Sequence, residues 1–289
     1  MTLRLLDTFS GIGGFSYAAE HIVGGFETVA FVEREPYCQR ILGKHWPNVS
    51  IYDDITTFNP QLHSADVICG GFPCQDISTA GKQAGIKEGT RSGLFYELIR
   101  VIRLVQPRYV VLENVAAILA NGLDTVLGEL AEAGFDAEWA CIPASAVGAC
   151  HQRDRWWLVA YAPHLLSHGQ QIGHGGQLGG RPVPEFGDGN GAPANTSSQR
   201  LERQEYPQWR IAQQLCSDWG GYISKPVLCR GDDGLSGRVD RLKALGNAVV
   251  PQVAAIPLAR VLELERVRAA NPATDPPDLQ HRSHQAVPQ

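Results

Sequence analysis

The chain has 289 residues, 44% hydrophobic and 19% charged, enough apolar material for one large domain or a core with a small satellite. A formal net charge of -5 excludes a uniformly basic nucleic-acid binder, so positive charge has to be local; residues 200–243 hold eight Lys or Arg against six Asp or Glu. Seven cysteines with no Cys-x-x-Cys pair argue against a disulfide framework and a structural zinc site, and no metal is expected. The start at Met1 has no signal-peptide pattern and no apolar run reads as long enough to span a bilayer, so a cytoplasmic protein without membrane contact is expected.

Leu3-Arg4-Leu5-Leu6-Asp7 reads as a first strand, followed by a Gly11-x-Gly13-Gly14 turn and a helix through Glu20. Thr28 to Val32 is a second strand ending at Glu33, with a helix over residues 37–45. Tyr52-Asp53-Asp54-Ile55 sets Asp54 at the next strand end. Asp66-Val67-Ile68-Cys69 runs into two glycines and the turn Phe72-Pro73-Cys74-Gln75. The polar stretch 75–93, with Gly81, Gly85 and Gly89, has the composition of a mobile lid. A helix is predicted over 94–105, stopped by Pro107, then a strand over 109–112 ending in Glu113, and a helix near 125–133. Trp156 to Tyr161 is a further strand. Apolar strands alternating with helices imply a doubly wound α/β fold with a parallel sheet covered on both faces.

From His164 the periodicity stops, and Trp209, Trp219 and Tyr222 restore only enough hydrophobicity for a small satellite. An amphipathic helical pattern returns from Leu242 to about Arg268, and the proline-rich end, 269–289, reads as disordered. The expected organisation is a catalytic and cofactor-binding domain over 1–163, completed by 242–268, around an irregular region at 164–241.

The residues that suggest chemistry stand at strand ends. Cys74, lifted out by a Pro-Cys-Gln turn, suits a thiolate nucleophile, although a packed free cysteine fits the same pattern. Glu113 sits at the carboxyl edge, where partial burial would raise its pKa and let it give or share a proton; a carboxylate satisfied by helix amides is the alternative. Arg153 and Arg155 alternate on a strand-like segment and share one face, with simple ion pairing as the alternative. The glycine turn with Glu33 fits a ligand whose ribose hydroxyls meet the carboxylate. Mononucleotide or NAD binding competes, but the third dinucleotide glycine is missing at its usual spacing.

Five separated stretches follow one another in order: Asp7-Thr8-Phe9-Ser10-Gly11-Ile12-Gly13-Gly14-Phe15, the Cys74 turn, Glu113-Asn114-Val115, Gln152-Arg153-Asp154-Arg155, and Leu245-Gly246-Asn247-Ala248-Val249-Val250-Pro251. In that order they resemble DNA cytosine-5 methyltransferases of the bacterial or phage modification type. The resemblance implies a Rossmann-like, S-adenosyl-L-methionine-dependent methyltransferase sheet with residues 164–241 as a small target-recognition region. It implies that Cys74 adds to carbon 6 of a flipped-out cytosine while Glu113 meets the charge at nitrogen 3. Arg155 would donate to the 2-oxo group, and Arg153 would brace the neighbouring phosphate and acid. For the cofactor it implies Phe9 and Ile55 against the adenine, Glu33 on the ribose and Asp54 on the amino group. Gly11, Ile12, Gly13, Gly14, Arg34, Pro73, Leu94, Asn247 and Ala248 complete that pocket, Arg34 standing where relatives carry an apolar or aromatic residue. Gln75, Ser78 and Arg91 would contact DNA. Double-stranded DNA is the implied partner, a cognate restriction endonuclease a further one, and the chain is expected to be monomeric. A tRNA cytosine-5 methyltransferase would share Cys74 and Glu113. A non-catalytic DNA-binding relative would be expected to have lost Cys74, Glu113 or the glycine turn, and all three are present.

Overall fold

The computed structural model describes residues 2–73, 93–162 and 244–270. Cys74, Gln75, Ser78 and Arg91, the lid, the 164–241 region and residues 271–289 lie outside the described residues.

Seven strands form one sheet in the order β3-β2-β1-β4-β5-β7-β6. They are β1 (Leu3–Thr8), β2 (Phe26–Val32), β3 (Ser50–Tyr52), β4 (Val67–Gly71), β5 (Tyr109–Val115), β6 (Asp136–Ile142) and β7 (Arg155–Tyr161). The helices are α1 (Gly14–Tyr17, continuing as a π-helical turn Ala18–Val23), α2 (Pro36–His45), α3 (Leu94–Val105), α4 (Ile118–Asn121), α5 (Leu123–Glu132) and α6 (Pro251–Ala270). Strands β1 to β5 pair in parallel, with helices on the β1–β2, β2–β3 and β4–β5 connections. The expected all-parallel sheet is corrected at one strand: β7 runs antiparallel to both β5 and β6. Only a short 3-10 turn, Ala144–Val147, joins β6 to β7, and no crossover helix carries the chain back for a parallel pairing.

Alternate residues of the strands feed two separate cores. Leu6, Ile68, Val110, Leu112 and Leu158 pack with α3 and α5, whereas Leu5, Val67, Cys69, Val111 and Trp157 pack with α1 and α6. The doubly wound arrangement read from continuous apolar runs is therefore the one observed. Strand β6 escaped the sequence reading because Asp136 and Glu138 interrupt its apolar run.

The C-terminal helix differs from expectation in two ways. Buried Ala254, Ala255, Pro257, Leu258, Ala259 and Val261 lie around most of its circumference, so it is a core helix and not an amphipathic one. The stretch Ala244–Ala270 is also long and apolar enough by composition to cross a membrane, contrary to the sequence reading. In the fold part of that surface, at Val253, Ala254, Leu258, Val261 and Leu264, lies against the sheet and the π-helical turn.

An ionic cluster locks α6 to the sheet. Arg108, 8% exposed, pairs with Glu265, and the Tyr109 hydroxyl donates to Glu265 Oε2 at 2.9 Å. Burial pushes the Glu265 carboxyl up, but Arg268, Arg108 and Tyr109 outweigh it and hold it below the usual range. Asp66 joins from β4's approach, 3.4 Å from Arg108 and 3.1 Å from Arg4. Glu265→Ala leaves the Arg108 cation buried with one partner fewer, and is expected to cost about 3 kcal/mol in urea denaturation.

Candidate active site

The site is built where β1, β4 and β5 end side by side. In register, Thr8 faces Gly70, Gly70 faces Leu112 and Gly71 faces Glu113. A methyl group on Gly70 would come within 2.3 Å of Thr8 Oγ1, and one on Gly71 within 3.0 Å of Glu113 Oε2. These two glycines are required by close approach and not by unusual torsion. Thr8 Oγ1 donates to the Cys69 carbonyl at 2.8 Å, binding the two strands at this point.

The segment entering Cys74 is fixed from two sides. Phe72 is buried with its ring 5.0 Å from that of Phe95. Asn114 Nδ2 donates to the Phe72 carbonyl at 3.1 Å, while its Oδ1 accepts from Val115 N at 2.8 Å. Pro73 and Leu94 are half-buried beside this turn. The role of Asn114 carried no signal in the sequence beyond its place after Glu113.

Glu113 is 13% exposed and accepts from Arg155 Nε at 2.9 Å. Burial pushes its carboxyl above the usual range, against the opposing pull of Arg155 and Arg153. A small cavity behind it is lined by Glu113, Arg153, Arg155, Trp157 and Val250. The two arginines converge on Glu113, though not as alternating strand residues. Arg155 opens β7, and Arg153 lies before it in the left-handed region at φ 42°. Arg153 donates to the carbonyls of Gly246 and Ala248.

The predicted cofactor residues occupy the adjoining edge. Phe9 (φ 51°) and Gly11 (φ 55°) shape the loop, and the Gly11 amide donates to Glu33 Oε2 at 2.7 Å. Glu33 Oε1 accepts from the Glu35 amide, and burial raises the Glu33 carboxyl despite these bonds. A methyl on Gly11 would meet nothing within 4 Å, so this turn faces open space; one on Gly14 would strike Val249 at 2.5 Å. Asp54 Oδ1 accepts from the amide and hydroxyl of Thr56, which hold its carboxyl below the usual range. Ile55 is buried in the α3 core, Arg34 is exposed, and Asn247 is exposed with Ala248 half-buried next to it. A cleft of about 700 Å³ opens behind the loop, lined by Ile12, Gly13, Gly14, Trp46, His151 and Ala248 among others. It touches only part of the predicted pocket: Phe9, Glu33, Asp54 and Ile55 lie outside its lining.

One buried acid escaped the sequence reading as a titrating group. Asp7, fully buried at the end of β1, accepts from the Ser16 hydroxyl at 2.8 Å and the Ser16 amide at 3.3 Å. It stands in register with Cys69, whose thiol burial and the neighbouring Asp7 charge push well up. Burial raises Asp7 to about 7.

Residues 3–205 match the family model for C-5 cytosine-specific DNA methylase. Type II methyltransferase M.CviJI of Paramecium bursaria Chlorella virus IL3A is 36% identical over 165 residues, covering 55% of this chain and 43% of that protein. Type II methyltransferase M.HhaI of Haemophilus parahaemolyticus is 31% identical over 168 residues, covering 56% and 50%. A solved structure of DNMT2 from Spodoptera frugiperda has 24% identity and a TM-score of 0.47, covering 56% of this chain and 50% of that one. The chain spans about half the length of the curated relatives it matches.

The Asp7 environment gives a pH test. A carboxyl raised to about 7 in the fold binds a proton that the unfolded chain has released, so its contribution is complete below the unfolded value of 3.8 and is lost as pH rises through about 7. Asp7→Asn removes that dependence. Relative to wild type it is expected to stabilise the fold by about 2–4 kcal/mol at pH 8, with little gain near pH 4, measured by denaturation at both pH values.

Proposed function

Because the chain belongs to the C-5 cytosine-specific DNA methylase family, we propose that it methylates carbon 5 of cytosine in a specific duplex DNA sequence. The observation that carries this reading is the placement of Glu113. It is a buried acid whose carboxyl burial pushes above the usual range, flanked by two arginines and directly opposite Gly71, which stands three residues before Cys74. Cytosine is a poor nucleophile at carbon 5 until its aromaticity is broken. In the proposed step the Cys74 thiolate bonds to carbon 6 while Glu113 gives a proton to nitrogen 3, leaving an electron pair at carbon 5. After methylation a base removes the carbon-5 proton, the pair left behind expels the Cys74 sulfur, and nitrogen 3 returns its proton to Glu113. Arg155 keeps Glu113 oriented and is set to donate to the 2-oxo group.

S-adenosyl-L-methionine supplies the electrophilic methyl group on a sulfonium. The residues present fit it: a glycine turn with an open face at Gly11, and beside it the Glu33 carboxylate at the end of β2. Phe9 and Ile55 would flank the adenine, Asp54 would accept from its amino group, and Gly11, Ile12, Gly13, Gly14, Arg34, Pro73, Leu94, Asn247 and Ala248 would complete the pocket. Gln75, Ser78 and Arg91 are proposed to contact DNA, and residues 164–241 to read its sequence. The type II names of the curated relatives support a modification role, with a cognate restriction endonuclease as the proposed counterpart and the cytoplasm as the proposed setting.

Bisulfite sequencing of DNA from cells expressing the chain tests the activity and reveals the target together; the absence of any converted-resistant site would overturn the reading. Cys74→Ala is expected to lower turnover by at least about 1,000-fold while S-adenosyl-L-methionine still binds. Duplex DNA with 5-fluorocytosine at the target should trap a denaturation-resistant adduct on Cys74, because fluorine cannot leave as a cation.

Glu113→Gln keeps a hydrogen-bond donor but releases no proton, and is expected to slow single turnover by about 100-fold with little change in DNA affinity. Burial raises the wild-type carboxyl, so its proton is retained above the ordinary carboxylate range and the rate should fall only at higher pH. That descending limb should disappear in the Gln variant. An unchanged kcat with a raised KM would make Glu113 a binding residue.

A further inference from the structure

The Arg153 side chain leaves the arginine motif and grips a segment more than ninety residues away. Its Nη1 donates to the Gly246 carbonyl at 2.9 Å and its Nη2 to the Ala248 carbonyl at 2.8 Å, so the fork brackets Asn247 from separations of 93 and 95 residues. The planar guanidinium suits two acceptors at once, as a lysine ammonium would not. The backbone is arranged to aim it, since a non-glycine residue at φ 42° sits in a sparsely populated region.

What it grips is the piece of chain that closes over the glycine loop. Val249 follows directly and lies so close to Gly14 that a methyl there would come within 2.5 Å of its Cγ2 and 3.2 Å of its carbonyl. Before Val249 the segment is exposed at Leu245, Gly246 and Asn247, so apolar burial contributes little to fixing it. On its other side the Arg153 cation feels the attraction of Glu113 and the repulsion of Arg155. It therefore stands between the acid and the closing segment.

We propose that Arg153 is a positioning residue for the methyl-donor pocket, holding residues 246–249 against the glycine loop, and not a contact to the base or its phosphate. This rests on the donor reading above and changes the role expected for Arg153 from the family resemblance. Arg155 pairs with the acid and makes no such bond to the closing segment.

The test is direct calorimetric binding of S-adenosylhomocysteine to the full chain without DNA, for wild type, Arg153→Ala, Arg153→Lys and Arg155→Ala, each checked for folding by its urea transition. Loss of two charge-assisted hydrogen bonds is expected to weaken binding by about tenfold in Arg153→Ala, with Arg153→Lys in between and Arg155→Ala within about twofold of wild type. Amide exchange over 244–253 should rise in Arg153→Ala, and fall back towards wild type when the ligand is added. Equal affinity in wild type and both Arg153 variants overturns the proposal and leaves the donor reading standing. If Arg153→Ala fails to fold, the lysine variant decides alone, since it keeps the charge and loses the fork. No binding by wild type sinks the donor reading and the proposal with it.

Discussion

How closely β4 can approach its two parallel neighbours governs the rest of the active edge. Gly70 and Gly71 sit where side chains would collide with Thr8 on one side and Glu113 on the other. With no Cβ at either position, β4 pairs to its last residue, and the chain leaves the sheet between two strand ends that carry acids. Asn114 then holds the Phe72 carbonyl, so the direction of exit towards Cys74 is set before the proline. An alanine at Gly71 would press on the carboxylate that the proposed chemistry needs, coupling the packing of the sheet to the acid.

Three acids line this edge, and burial raises all three, but their partners separate them. Asp7 has Ser16, the Cys69 thiol and the Glu33 charge near it, with one oxygen lacking a hydrogen-bond partner among the described residues. Glu33 is met by backbone amides of the glycine loop and of Glu35. Glu113 alone among them is met by arginines. A cation beside a buried carboxyl lets the charged form exist after the proton has moved, which an acid–base role requires and a packing role does not. The same burial therefore leaves Asp7 suited to packing, Glu33 tied to the glycine loop and Glu113 suited to the proposed proton transfer, according to what stands opposite each.

Much of this was legible in the residues. The strand ends carrying Asp7, Glu33 and Gly70-Gly71 follow from short apolar runs punctuated by glycine or an acid, and the observed strands end within a residue of them, whereas β5 runs on past Glu113 to Val115. What sequence could not show was direction and reach. Nothing in Trp156 to Tyr161 distinguishes a reversed strand from a parallel one, because both bury the same alternation on two covered faces. Arg153 read as a partner of Arg155 on one strand face, whereas a single left-handed residue turns it towards carbonyls that no spacing rule links to it. Likewise α6 looked amphipathic from its charges, yet Arg260 reaches Glu138 on β6 and Glu265 reaches Arg108, so those charges meet partners inside the fold.

The sheet also holds the chain on both sides of residues 163–243. β7 ends beside the start of β5, with Tyr161 in register with Tyr109 and the Ala162 amide on the Arg108 carbonyl. The chain is thus released at the amino edge. It is taken up again at the opposite, carboxyl edge, where Arg153 holds the Gly246 and Ala248 carbonyls, and α6 returns across the sheet to Arg108 through Glu265. The residues on either side of 163–243 are consequently pinned by the sheet itself. Lengthening or shortening a stretch between two fixed ends costs little, only about 0.6 kcal/mol for each doubling of a flexible connection. A change in the length of residues 163–243 is therefore expected to leave the acid-and-arginine edge in place, because that edge is anchored by contacts lying outside them.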